Sequence, residues 1–146
     1  MISTIRRLGN CAMVLIDTSV WIPILRDKSG IEAQRLRLWL DYRDAALTRF
    51  TQLELLQGCR DETEWSRLSE YLEFQIYIET SDKTWPAAAR IFFDLRRKGL
   101  TVRSPIDCCI AQIAIERGLT LLHNDRDFDV IASEQALRHL RWTLTT

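Results

Sequence analysis

Short apolar runs alternate with longer amphipathic stretches along this chain, and the alternation predicts its elements. Val14-Leu15-Ile16 and Leu119 to Leu122 are brief apolar runs, the pattern of strands buried on both faces. Ala45 to Thr48 and Gln75 to Ile78 read as weaker strands, and His139 to Leu144 as a last edge strand. Between them lie helical periodicities. Ser19 to Leu25 is a short helix with Thr18 or Ser19 as its cap, and Ile31 to Tyr42 a second. Gln52 to Cys59, stopped near Gly58, and Glu62 to Leu72 follow. Lys83 to Lys98 carries Trp85, Ala88, Ala89, Phe92, Phe93 and Leu95 near one face and ends at Gly99. Ser104-Pro105 opens the helix Ile106 to Arg117, with Pro in the first turn and Gly118 past its end.

Strands alternating with helices predict an α/β fold, a three-layer α/β/α sandwich around a mainly parallel central sheet. In such sheets ligands gather beyond the carboxyl ends of the strands. Both clear strands run into carboxylates there: Asp17 follows the first, and Asp125 follows the second after two residues.

Composition narrows the class. The 146 residues, 47% hydrophobic and 27% charged, fit one globular domain and exclude disordered, collagen-like and coiled-coil chains. Twenty basic and 20 acidic side chains balance, which argues against a surface coated by nucleic acid but allows a local basic groove. Lysine is scarce, confined to Lys28, Lys83 and Lys98, so the basic side chains are overwhelmingly arginine. Arginine grips phosphates and carboxylates with two prongs. Cys11, Cys59, Cys108 and Cys109 show no zinc spacing, and the adjacent pair opens an apolar run. His123 and His139 stand apart in sequence and read as structural. With no signal-peptide pattern and no run of 18 apolar residues, a cytoplasmic protein with reduced thiols is expected. Residues 1–12 are poorly patterned and read as an N-terminal extension; the expected single domain is 13–146, with Met13 an alternative translation start.

Four acids stand at element ends or in apolar surroundings: Asp17, Glu54, Asp107 and Asp125. Singly, each has an ordinary explanation, such as a helix-dipole contact for Asp107 or a turn for Asp125. Converging at one sheet edge, they would repel unless a cation or protons neutralised them. All-oxygen sites suit Mg²⁺ or Mn²⁺. Asp125, Asp127 and Asp129 alternate like the start of a calcium loop, but Val130 and Ala136 stand where that loop needs Gly and Glu. The chain holds no GxGxxG, P-loop, GxSxG or HExxH.

Four segments carry a resemblance. Val14-Leu15-Ile16-Asp17-Thr18-Ser19-Val20-Trp21, Thr51-Gln52-Leu53-Glu54-Leu55-Leu56-Gln57-Gly58, Ser104-Pro105-Ile106-Asp107-Cys108-Cys109-Ile110-Ala111 and Leu121-Leu122-His123-Asn124-Asp125-Arg126-Asp127-Phe128 together resemble the PIN-domain family, and within it the VapC-type toxins of bacterial toxin–antitoxin pairs. The resemblance runs from about Met13 to the C-terminus. It implies a metal-dependent endoribonuclease in which Asp17 and Asp107 match the core metal ligands, while Glu54 and Asp125 complete the pocket. Thr18 matches the hydroxyl that supports the first acid. Asn124 and Asp127 stand beside the site, and His123 replaces a customary Ser or Thr. The implied reaction is water attack on an RNA phosphodiester, leaving 5′-phosphate and 3′-hydroxyl ends, with one Mg²⁺ or Mn²⁺ and a second arriving with substrate. A transfer RNA loop and a ribosomal RNA loop both remain open as substrates. Implied partners are a VapB-type antitoxin, which often places a basic side chain near the acids, and a second copy of the chain in a homodimer.

Trp21, Ile22, Trp39 and Phe50 suit such interfaces or, preferably, the core. Arg96, Arg97, Lys98 and Arg103 form the densest basic run, suited to RNA phosphates or to a solvated helix end. Three other readings stand beside this one. A phosphoacceptor domain would need adjacent acids after its first strand and a Lys after its last core strand, which this chain lacks. A non-catalytic PIN-like module binding RNA or protein would not need the acids. A PIN-related DNA nuclease is open.

Overall fold

The structure, a computed structural model, describes residues 13–145; the expected extension, Cys11 and the question of a start at Met13 lie outside or at the edge of that range. Strand β1, Met13–Ile16, is the centre of the sheet. It is followed by β2 (Asp44–Leu47), β3 (Ile76–Tyr77), β4 (Thr120–His123) and β5 (His139–Arg141). All pairings are parallel, in the order β3-β2-β1-β4-β5. The register sets Leu15 beside Ala46 on one flank and Leu121 on the other.

Successive strand side chains point to opposite faces, and here both faces are buried. Leu15, Ala46 and Leu121 enter one core; Val14, Ile16, Leu47 and Leu122 enter the other. That double burial is why β1 and β4 read as apolar runs rather than alternating ones. Each fully buried aliphatic side chain contributes about 1.5–3 kcal/mol relative to exposure.

Among the described residues, seven helices cover the sheet. On the second face lie α1 (Thr18–Arg26), α2 (Ile31–Leu40), α3 (Arg49–Gln57) and α4 (Glu62–Glu73), contributing Trp21, Leu36, Leu55 and Leu72. On the first lie α5 (Thr84–Arg97), α6 (Pro105–Arg117) and α7 (Arg126–Glu134), contributing Leu95, Ile110 and Phe128. The expected three-layer sandwich is therefore observed. Trp21 is buried, and Ile22, Trp39 and Phe50 pack against the cores, in line with the preferred core reading.

Three differences from the sequence reading have local causes. The cap of α1 is Asp17, one residue earlier than expected, because its carboxylate accepts the Ser19 N–H. The buried seam of α5 is Ala88, Ile91 and Leu95, spaced by three and four residues, while Trp85, Ala89 and Phe93 face outward. Helix α7 was not foreseen; it is capped by Asp125, whose carboxylate accepts the Asp127 N–H, and buries Phe128 and Ile131. Helix α6 ends as expected at Gly118, in the left-handed region at φ 62°, where the Leu119 N–H reaches the Ala114 carbonyl at 2.9 Å.

Candidate active site

The acids meet because strand ends and helix starts coincide. Asp17 leaves β1 with its N–H still bonded to the Leu122 carbonyl of β4 at 3.0 Å, then caps α1. Asp125 leaves the neighbouring β4 and caps α7. Asp107 lies in the first turn of α6, and Glu54 in α3. Helix N-termini favour negative charge nearby, so three of the four acids sit where backbone dipoles partly offset them.

Their mutual effect is visible in their titration. Asp17 is buried, and desolvation holds its carboxyl above the usual range against the Ser19 hydrogen bonds. Half-buried Glu54 is raised by desolvation, then by Asp17 and Asp125. Asp107 is pushed up to about 7, first by desolvation and then by Asp17, Asp125, Asp127 and Glu54. One group of carboxylates thus forms from four separate chain segments. Asp107, Asp125 and Asp127 bring carboxylate oxygens within 4.8 Å of one another, close enough to share one cation. Asp127, expected beside the site, is part of this tightest cluster.

Two side chains acquire roles that the sequence reading did not give them. The hydroxyl bonded to the first acid is that of Ser19, which donates to Asp17 Oδ2 at 2.7 Å, while the buried Thr18 Oγ1 has no hydrogen-bond partner. An Asp followed two residues later by Ser is a turn signal visible in the sequence. The same Ser19 Oγ accepts the Asn124 N–H at 2.9 Å, and Asn124 Oδ1 takes Arg141 Nε at 3.2 Å. Arg103 does not lie free at a helix end: Nη2 donates to Asp125 Oδ1 at 2.7 Å and Nε to Asp127 Oδ2 at 2.9 Å. Its backbone N–H also reaches Asp127 Oδ2, at 3.1 Å. Lys98 of the same basic run is ion-paired with Glu134.

The two histidines, read as separate, are partners. His123 Nε2 and His139 Nδ1 lie 3.0 Å apart, the rings stack, and Asp129 approaches both. The Asp125 N–H donates to His123 Nδ1 at 3.2 Å, so that nitrogen is the unprotonated one and Nε2–H donates to His139. His123 is fully buried, and desolvation lowers it to about 4, which keeps it neutral. The two rings are thus hydrogen-bonded to each other, with Asp129 near both at 3.6–3.7 Å and paired with Arg141. Cys108 is also buried, its thiol pushed up to about 12 chiefly by desolvation. Together with Cys59 and Cys109 it is a free thiol.

Comparison with known proteins places the chain among relatives. Residues 14–134 match the PIN domain family. Ribonuclease VapC11 of Mycobacterium tuberculosis is 37% identical over 123 residues, which cover 82% of this chain and 92% of that protein. Ribonuclease VapC51 of the same species is 38% identical over 88 residues, 60% of this chain and 64% of that one. Among solved structures, VapBC2 from Rickettsia felis bound to a DNA fragment from its promoter aligns with a TM-score of 0.74 at 21% identity, over 90% of this chain and 99% of that chain. DNA-bound VapBC from Salmonella typhimurium aligns with a TM-score of 0.72 at 22% identity, over 90% and 98%. The structural likenesses establish the fold.

Proposed function

The chain belongs to the PIN-domain family, and from that premise we propose that it is an endoribonuclease toxin of the VapC type, cutting RNA phosphodiester bonds at its carboxylate cluster. The observation that carries the reading is the meeting of Asp107, Asp125 and Asp127, whose carboxylate oxygens lie within 4.8 Å of one another, with burial and neighbouring acids pushing the Asp107 carboxyl up to about 7. Even with Arg103 on Asp125 and Asp127, five acids leave a surplus of negative charge that a divalent cation offsets. The donor set is all oxygen, which fits Mg²⁺ or Mn²⁺. Asp17, Asp107 and Asp125 would hold the ion, with Glu54 and Asp127 closing the ring. Bound there, the ion supplies Lewis-acid stabilisation of phosphate charge and a more acidic water.

The chain's own residues perform the rest. Ser19 fixes the carboxylate of Asp17, and the Asn124 N–H fixes Ser19. The His123 ring holds the Asp125 backbone. Glu54, held above the usual carboxylate range, stands ready to accept a proton from the attacking water. The expected products are 5′-phosphate and 3′-hydroxyl ends on a transfer RNA or ribosomal RNA loop.

A VapB-type antitoxin and a second copy of the chain are the proposed partners. Apolar side chains exposed outside both cores, among them Leu53, Trp65, Phe74 and Trp85, support contact with protein. No helix among the described residues is long and apolar enough to cross a membrane, and cytoplasmic action is proposed.

The test is to map new 5′-phosphate RNA ends in cells shortly after induction, beside Asp107→Asn. A few sharp sites with the unaltered protein alone would establish selective RNA cleavage. Identical profiles from two soluble proteins would move the reading to a binding module or a DNA nuclease.

A further inference from the structure

The five clustered acids have one ion-pair partner among the described residues, Arg103, and it holds the very carboxylates a cation needs. Its guanidinium grips one oxygen of Asp125 at 2.7 Å and one of Asp127 at 2.9 Å. The carboxylates are mostly covered, with Asp127 at 8% and Asp125 at 19% side-chain exposure, whereas the arginine side chain is 76% exposed. The guanidinium therefore approaches from the solvent side and can leave without unpacking anything. The Arg103 backbone N–H stays tied to Asp127 Oδ2 at 3.1 Å, so Asp127 keeps a donor when the side chain departs.

We propose that Arg103 is a built-in counter-cation of the metal-free site, displaced by the divalent ion and then presented to a substrate phosphate. The inference rests on the metal-nuclease reading and deepens it. The guanidinium and a divalent ion compete for the negative charge of the same two carboxylates and repel each other at that distance, so each weakens the other's hold on the site. Once released, the guanidinium is tethered within one side-chain length of the acids, and its planar fork suits phosphate as well as carboxylate. Loading of the ion and binding of RNA thereby reinforce each other, since each favours the arrangement with Arg103 off the acids. Arg103 is a positioning residue in the metal-free protein and a phosphate contact in the loaded one.

The experiment compares the full chain with Arg103→Gln and Arg103→Lys. Mn²⁺ uptake is followed by electron paramagnetic resonance without RNA, and a labelled single-stranded RNA is titrated in Ca²⁺ across a salt series. Arg103→Gln should bind Mn²⁺ about two- to fivefold tighter, the range expected for removing a partly exposed ion pair. Arg103→Lys, which lacks the fork, should fall between. The same Gln variant should bind RNA more weakly, with a salt slope shallower by about 0.7, one single-strand phosphate contact. Equal or weaker Mn²⁺ binding by Arg103→Gln overturns the counter-cation role, and an unchanged salt slope overturns the phosphate contact. Failure of both the unaltered chain and Arg103→Gln to take up Mn²⁺ overturns the nuclease reading itself, a result distinct from equal uptake by both.

Discussion

Ser19 Oγ accepts the backbone N–H of Asn124 at 2.9 Å across 105 positions of sequence, tying the turn after β1 to the turn after β4. The same oxygen donates to Asp17 Oδ2 at 2.7 Å. One hydroxyl thus bridges the turns that carry Asp17 and Asp125, just beyond the β1–β4 pairing and the Asp17 N–H to Leu122 carbonyl bond. Ser19→Ala is expected to lower the melting temperature, by about 1 kcal/mol of stability, and to weaken Mn²⁺ binding measured by calorimetry. Thr18→Val, one residue away, removes a buried hydroxyl that has no partner. It should leave stability unchanged or raised, and Mn²⁺ binding intact. Equal losses in the two variants would refute the assignment of the bridging role to Ser19.

Asp107 makes stability depend on pH in the metal-free protein. Its native carboxyl titrates at about 7, far above its ordinary 3.8. Between those values the native state holds the proton longer than the unfolded state, so its contribution falls as pH rises. Asp107→Asn should therefore gain stability relative to the unaltered chain from pH 4 to pH 7.5, by about 1–3 kcal/mol after allowance for solvent screening. Denaturant unfolding at both pH values in a chelator measures it. Added Mn²⁺ should stabilise the unaltered chain and leave Asp107→Asn nearly unmoved.

His123 acts with the opposite sign. Burial keeps its native ring neutral down to about 4, despite Asp129, while the unfolded ring takes a proton near 6.5. As pH falls through that window the unfolded state binds more protons, and stability is lost. His139, Arg141, Asp129 and Asp125 are the charged or titratable groups that act on this ring. His123→Asn keeps an acceptor for the Asp125 N–H without the titration. Relative to that variant, the unaltered chain should lose about 2–3 kcal/mol between pH 7 and pH 4. A pH-independent difference would show that the ring is not held neutral.

Gly118 is required by backbone geometry. At φ 62° an L-residue is strained, and an added Cβ would lie 3.1 Å from the Arg138 guanidinium. That guanidinium is a flexible end and can yield, so the backbone term dominates. Gly118→Ala should cost about 1–2 kcal/mol in thermal unfolding, and Gly118→Asn less, since Asn tolerates this region.

The sequence made the sheet centre and its acids legible because burial on both faces leaves apolar runs in β1 and β4, each ending at a carboxylate. Helix α6 was legible through its punctuation: Ser104 caps it, Pro105 opens it and Gly118 closes it. Helix α7 was not, because it is nine residues long and shows its core side mainly through Phe128 and Ile131 amid alternating acids. For α1 the cap lies one residue before the two candidates, and the supporting hydroxyl that the resemblance carried onto Thr18 belongs to Ser19. Arg103 and the histidine pair lay beyond local reasoning. Arg103 meets acids 22 and 24 positions away, and His123 meets His139 only through the β4–β5 pairing.

The order of the strands has a bearing on biosynthesis. The strand that carries Asp125 to the centre of the sheet is the fourth of five along the chain, and it inserts beside the first. A chain that has already exposed Asp17, Glu54 and Asp107 still lacks the neighbour that positions them, along with the Asn124 amide, Asp125 and Asp127. A chain in which β4 has not yet joined β1 therefore cannot assemble the carboxylate cluster.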